Sequence, residues 1–232
     1  MTNAAFSYSV VTIDMGDMGS VGLYNNSGGA GLPKYYDNMP TAGEQVWDDS
    51  DADDNGLPNH DNDNMLGYNG TFGGLGVSLA YVNGGAGGKG GGASDSSWVV
   101  TYDGLMDGLT VGVGMGENGT TQDLSTAWVK YTAGSITAGF QKSEVDNTGS
   151  TADEDATALA VSIAVNENLS ISAGKHDVDM GAGKVDEEST GVSASYTVGS
   201  STIGFVANST DNVAGTAGTD DSYRELSVSF AF

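Results

Sequence analysis

The most regular feature of this chain is strict alternation of apolar with small polar residues, the mark of β-strands with two unlike faces. At the end of the chain Leu226, Val228, Phe230 and Phe232 alternate with Ser227, Ser229 and Ala231. Upstream, Val192, Ala194, Tyr196 and Val198 alternate with Gly191, Ser193, Ser195 and Thr197. The same period of two runs through Leu159, Val161, Ile163 and Val165, through Leu109, Val111, Val113 and Met115, and through Leu75, Val77, Leu79 and Tyr81. Thirteen strands are predicted, the first carried by Phe6, Tyr8 and Val10 and the second a short one at Val21-Gly22-Leu23. No segment has a helical period, and none approaches the ~20 apolar residues of a membrane-spanning helix.

The polar face narrows the architecture. In a soluble sandwich it would meet water and carry Lys, Glu and Arg. Here it is Ser, Gly, Thr and Ala, which suits the lumen of a wide barrel or a tightly packed interior. Alternation alone leaves a soluble sandwich open. The connections separate the two, because they alternate in length. Short ones fall at 73–74, 103–108, 132–135, 166–168 and 199–200, and long ones at 84–95, 117–123, 143–155, 177–189 and 210–222. Transmembrane barrels have short periplasmic turns and longer extracellular loops. The acids collect in the long connections, with Glu225 the one expected inside a strand. A bilayer demands such clearing, since an ionised Lys or Arg on the lipid face costs ~2–4 kcal/mol at the midplane and acids cost less. Phe72, Tyr102, Tyr131, Tyr196 and Phe232 fall on the apolar face where a strand enters a short turn or ends the chain, drawing a ring at one membrane interface. The expected fold is all-β, a transmembrane antiparallel β-barrel forming a single domain over residues 1–232, with 26–63 as one long loop.

Composition sharpens this picture. Cys is absent, which excludes a disulfide scaffold, a Cys-ligated zinc site and thiol chemistry. Thirty-one acids against seven bases give a formal charge of −24. Such a surface repels phosphates, so nucleic acid is set aside as a partner, while cations are compatible with it. A mean hydropathy of −0.21 looks soluble, but a barrel needs only one apolar face per strand. The first residues already alternate, and no signal peptide is visible.

The closing segment Tyr223-Arg224-Glu225-Leu226-Ser227-Val228-Ser229-Phe230-Ala231-Phe232 resembles the terminal strand of Gram-negative outer-membrane proteins. The run from Phe6 through Asp14-Met15-Gly16-Asp17 to Val21 resembles the strand pair before the long third loop of alphaproteobacterial general porins. Asn62-Asp63-Asn64-Met65-Leu66-Gly67-Tyr68 resembles the segment leaving that loop. The resemblance implies an outer-membrane location, sixteen strands, a homotrimer in contact with lipopolysaccharide, and reading of the Phe232 strand by the barrel-assembly machinery. It also implies a constriction loop after the fifth strand. Counting back from Phe232 as the sixteenth strand makes Val21-Gly22-Leu23-Tyr24 the fifth, so the 26–63 connection takes that place. The same count puts three strands and a signal peptide ahead of Met1. An odd strand number does not close an antiparallel barrel in the usual way, so the sequence is expected to be an N-terminally truncated porin.

Inside the long loop Asp51, Asp53, Asn55 and Gly56 satisfy the first half of a calcium loop, D-x-[DN]-x-[DN]-G. The usual Glu at the twelfth position is replaced by Asn62, so Asp61 or Asp63 would complete the set. A solvated acidic loop that merely repels anions is the competing reading. Asp37, Glu44, Asp48 and Asp49 share the loop and are candidates for the narrowest point, with Lys130 expected on the lumenal face of its strand. Lys142, Lys175 and Arg224 fall near loop-proximal strand ends, where lipopolysaccharide or loop acids are their expected partners. The glycine run 84–92 with Lys89 lacks the Lys-Ser/Thr and the helix of a phosphate loop. His60 and His176 lie in no nucleophile motif, and a pairing of His176 with Asp177 or Asp179 is the one arrangement with catalytic potential. The expected function is not enzymatic. It is passive diffusion of small hydrophilic solutes and ions, with a cation preference and no required cofactor beyond the candidate calcium. A secreted calcium-binding all-β adhesin or surface-layer-like protein is the alternative, and a smaller complete barrel a third.

Overall fold

A computed structural model describes residues 9–25, 27–47, 57, 64–84, 93–149 and 152–231. It contains thirteen strands: β1 (Ser9–Asp14), β2 (Ser20–Asn25), β3 (Met65–Phe72), β4 (Leu75–Val82), β5 (Asp95–Tyr102), β6 (Leu109–Asn118) and β7 (Gln122–Ala133), then β8 (Ile136–Asn147), β9 (Glu154–Ala164), β10 (Leu169–Asp179), β11 (Glu187–Val198), β12 (Ser201–Asp211) and β13 (Asp221–Phe230). They pair antiparallel in sequence order as one sheet. Among the described residues β1 and β13 each pair on one side only. The tightest hairpins are set by their turns. Phe72 faces Leu75 across Gly73-Gly74, both at positive φ, the two-residue geometry whose twist matches the flanking strands.

The two faces differ as the alternation predicts. Along β8 Gly139, Gln141, Ser143 and Val145 are buried, while Ala138, Phe140 and Lys142 between them are exposed. The exposed face carries a continuous apolar band across the sheet, with Leu159 57 % and Leu226 71 % accessible. In a bilayer that band meets lipid. The other face is covered, and residues 27–47 with Leu57 do much of the covering. Apolar contacts there form separate patches. One joins Leu32 and Leu57 to Val99, Leu124, Trp128 and Val145. Another joins Ala30 to Tyr24, Met65 and Ala80, and a third joins Met39, Val46 and Trp47 to Ala158 and Ala160.

Three sequence expectations need correction. In β1 Val11 and Ile13, in register with Leu23 and Val21, share the apolar outer face, whereas Val10, also exposed, lies on the other face opposite buried Tyr24. Strand pairing with β2 thus overrides the apparent continuation of the Phe6 and Tyr8 pattern. The 117–123 connection is not long, because pairing continues from Glu117↔Asp123 to Asn118↔Gln122 and only 119–121 turn. For the same reason many acids assigned to loops, including Glu144, Asp155, Asp177, Glu188 and Asp211, stand within strands. A backbone ladder needs no apolar side chains once it leaves the bilayer core, so β7–β12 extend past the apolar band into water.

Candidate functional site

Residues 27–47 lie across the covered face from β3 to β12, held by polar side chains of the wall that bond to the loop's backbone. A short 3-10 turn, Leu32–Lys34 with Pro33 inside it, begins the crossing. Ser78 Oγ on β4 accepts the Gly31 amide at 2.8 Å, and Ser97 Oγ on β5 accepts that of Leu32 at 3.0 Å. Leu32 sits over β6 where the wall has no side chains. A Cβ on Gly114 would lie 2.8 Å from Leu32 Cδ2, and one on Gly116 2.9 Å from Cδ1.

Farther along, the Tyr35 ring stacks on Trp128 of β7 with centroids 5.3 Å apart. The buried Gln141 amide on β8 acts at both ends. Its Oε1 accepts the Asn38 N–H at 3.0 Å, and its Nε2 lies 3.2 and 3.1 Å from the carbonyls of Tyr35 and Tyr36. Ser172 Oγ on β10 accepts the Ala42 amide at 2.9 Å and lies 2.7 Å from Ser193 Oγ on β11. Asn208 Nδ2 on β12 donates to the Gln45 carbonyl at 2.8 Å. Finally Trp47 covers the buried His176 of β10, ring centroids 4.7 Å apart. The small polar inner face is therefore a docking strip for a strap of main chain. Ser78, Ser97, Gln141, Ser172 and Asn208 each satisfy a loop backbone group that would otherwise be orphaned.

Of the residues singled out from sequence, Asp37 is half-buried and its Oδ1 accepts the Met39 amide at 3.1 Å. Glu44 is exposed in the turn after Thr41. Lys130 lies on the inner face, its cross-strand partner Gly139 packed under Met39 and Pro40 of the strap. Asp48, Asp49, Asp51, Asp53, Asn55, His60, Asp61 and Asp63 lie outside the described residues, as do Phe6, Tyr8, Lys89 and Phe232. Among the described residues no His, Asp and Glu converge as a metal site. His176 faces inward, whereas Asp177 ion-pairs with Lys175 at 2.8 Å on the outward face, so the two form no catalytic dyad. Lys142 bridges Glu144 and Asp155, and Lys175 also reaches Glu188. Both pairs stand on the outer face at the long-connection end.

Sequence reasoning missed Lys34, Tyr35, Trp128, Gln141 and Asn208. Trp128 carried a legible signal, since it is a large aromatic on the polar side of β7 between Ala127 and Val129. Gly112, Gly114 and Gly116 carried another, an alternating glycine row along one face. Lys34 donates to Asn69 Oδ1 at 2.9 Å, and its ammonium lies 5.3 Å from the Tyr35 ring centre. Partial exclusion of water by the wall lowers its pKa below the usual lysine value and raises that of the Tyr35 phenol.

The strap lies along the covered face of one antiparallel meander whose other face is an apolar band. Comparison with known proteins bears on the fold. A family model described as Gram-negative porin matches residues 1–232. Among solved structures, an anion-selective porin from Comamonas acidovorans superposes with TM-score 0.67 at 17 % identity, over 97 % of this chain and 77 % of that one. A mutant of Rh. blastica porin gives 0.63 at 13 % identity, over 96 % and 88 %. The outer-membrane expressed OmpT of Vibrio cholerae gives 0.63 at 14 %, over 95 % and 79 %. A search of curated proteins finds no significant match.

Proposed function

This chain belongs to the Gram-negative porin family, and from that premise we propose a passive outer-membrane channel that favours cations and is narrowed by the strap in 26–63. As a porin it is a β-barrel of the outer membrane and not an enzyme, which displaces the adhesin reading. The observation supporting the finer reading is the strap itself, docked along the inner wall from Ser78 to Asn208. Any solute using the lumen passes beside it. On this reading Asp37 and Glu44 of the strap border the passage, with Lys130 a base on the wall behind.

The charge balance supports the cation preference. With a formal charge of −24, the mouth and the strand ends around it are acidic, and Lys142 and Lys175 there are already paired with carboxylates. Low-dielectric walls focus such a field and enrich cations locally. Asp51, Asp53 and Asn55, with Asp61 or Asp63, are proposed to hold a calcium ion in the same loop. The assembly is proposed to be a homotrimer of the alphaproteobacterial general-porin type, seated among lipopolysaccharide.

Reversal potentials across a tenfold KCl gradient in a planar bilayer test the central reading. A cation-selective potential is expected, and an anion-selective one overturns it. Calcium titration supports the loop site if binding saturates and is lost in Asp51→Asn with Asp53→Asn.

A further inference from the structure

Between the start of the strap and the inner face of β1–β5 lies a cavity of about 440 Å³, within the ordinary range of small-molecule sites. Its walls bring together the Lys34 ammonium, the Tyr35 ring, the Asp14 carboxylate, the Asn69 amide and the hydroxyls of Thr71 and Thr101. These groups come from the strap and from three strands, β1, β3 and β5, so folding alone assembles them.

The charged groups are held in place. Asn69 receives Lys34 on Oδ1, accepts the Ser78 hydroxyl on the same atom at 2.7 Å, and donates from Nδ2 to the Gly29 carbonyl at 3.0 Å. Ser78 in turn anchors the Gly31 amide. Lys34 is thus fixed by a chain of bonds running into the wall, and an ammonium has three donors, of which Asn69 uses one. On the other side, Asp14 Oδ1 accepts the Gly16 amide at 2.9 Å, which fixes that carboxylate.

Resting on the porin reading, we propose that this cavity is a binding subsite for a small hydroxylated monocarboxylate, of the sugar-acid type, in transit through the pore. Lys34 takes the carboxylate as a compact point charge. Asp14, Thr71 and Thr101 take hydroxyls, while Tyr35, stacked on Trp128, borders the ammonium and helps to hold it in place. A neutral sugar lacks the group that Lys34 selects. A dicarboxylate brings a second charge into the cavity that Asp14 also lines, and repulsion rejects it. The subsite gives an anionic solute one holding point in a channel whose wider field repels it.

The probe is sodium gluconate, titrated calorimetrically at low salt into the detergent-refolded chain, with glucose and glucarate as comparisons. Saturable gluconate binding is expected in the unaltered protein and in the rim control Lys142→Gln. It should weaken about tenfold or more in Lys34→Gln, the loss of one charge-assisted bond, and recover in part in Lys34→Arg. Glucarate should bind more weakly and glucose not at all in the same range. Far-UV circular dichroism confirms that each variant folds. Gluconate binding that is absent, or unchanged in Lys34→Gln, overturns the proposal, as does glucose or glucarate binding equally well. Reversal potentials in KCl on the same samples keep the two readings apart. An anion-selective channel that still binds gluconate through Lys34 fails the cation reading and keeps this one.

Discussion

Gly31 joins three constraints in one residue. Its backbone, φ 61° and ψ −152°, lies in a region that essentially only glycine occupies. A Cβ there would stand 2.3 Å from Ser97 Oγ and 2.5 Å from Ala80 Cβ, and its amide anchors the start of the strap's 3-10 turn to Ser78. Gly31→Ala should therefore add ~1–3 kcal/mol of strain and lift the strap's first turn. Single-channel records should show larger, noisier conductance while the β-sheet dichroism is unchanged, and identical conductance would disprove the anchor. Lys34, next but two, makes a pH prediction whose sign is fixed. Its pKa is lowered by desolvation, so the ammonium is lost at a pH below the usual lysine value. Gluconate binding should fade as pH rises through that lowered value. The folding penalty of the charged form is present below it and is relieved as pH rises towards the unfolded pKa. A titration that stays flat through and beyond the ordinary lysine range would show that the ammonium is not the binding group.

At the scale of elements, each strand is a divider between lipid and lumen, and neighbouring positions should respond oppositely. Val161 of β9 faces outward in the apolar band, whereas Ser162 faces the inner side beside Thr137 and Ser172. Val161→Arg is expected to cost ~2–4 kcal/mol, measured by reversible unfolding in lipid vesicles, while Ser162→Arg costs much less. Equal costs would mean the facing is wrong. The strap depends on aromatic contacts as well as hydrogen bonds. Trp128→Ala removes the surface on which Tyr35 stacks and leaves a hole beside Gly112, a change of ~3–5 kcal/mol for a buried Trp, whereas Trp128→Phe should keep most of the contact. Strand identity was legible here because a period of two survives any tertiary context. Strand ends were not, because pairing such as Glu117↔Asp123 continues where the side chains already read as loop.

For the whole molecule the proposed cation preference rests on the distribution of charge, formally −24. Raising salt to about 1 M shortens the screening length to ~3 Å, so the cation preference measured near 0.1 M should largely collapse. A preference that persists at high salt would locate selection in close contacts within the strap instead of the acidic mouth. The sequence by itself determined the all-β class, the thirteen strands, the lipid-facing band and the place of the long connection, since each is written as local periodicity or its interruption. It also marked Lys130 for the inner face, because facing follows from parity along one strand. Only the tertiary structure decided which wall residues meet the strap. Ser78, Gln141, Ser172 and Asn208 are ordinary polar-face positions in sequence, and a segment far away in the chain turns them into anchors. The same holds for Lys34, Asp14 and Thr101, which lie on separate elements and share a cavity because the sheet brings them to it. Alternation reports which way a side chain points, and contact across the lumen depends on register and on the path of the strap, which no local pattern encodes.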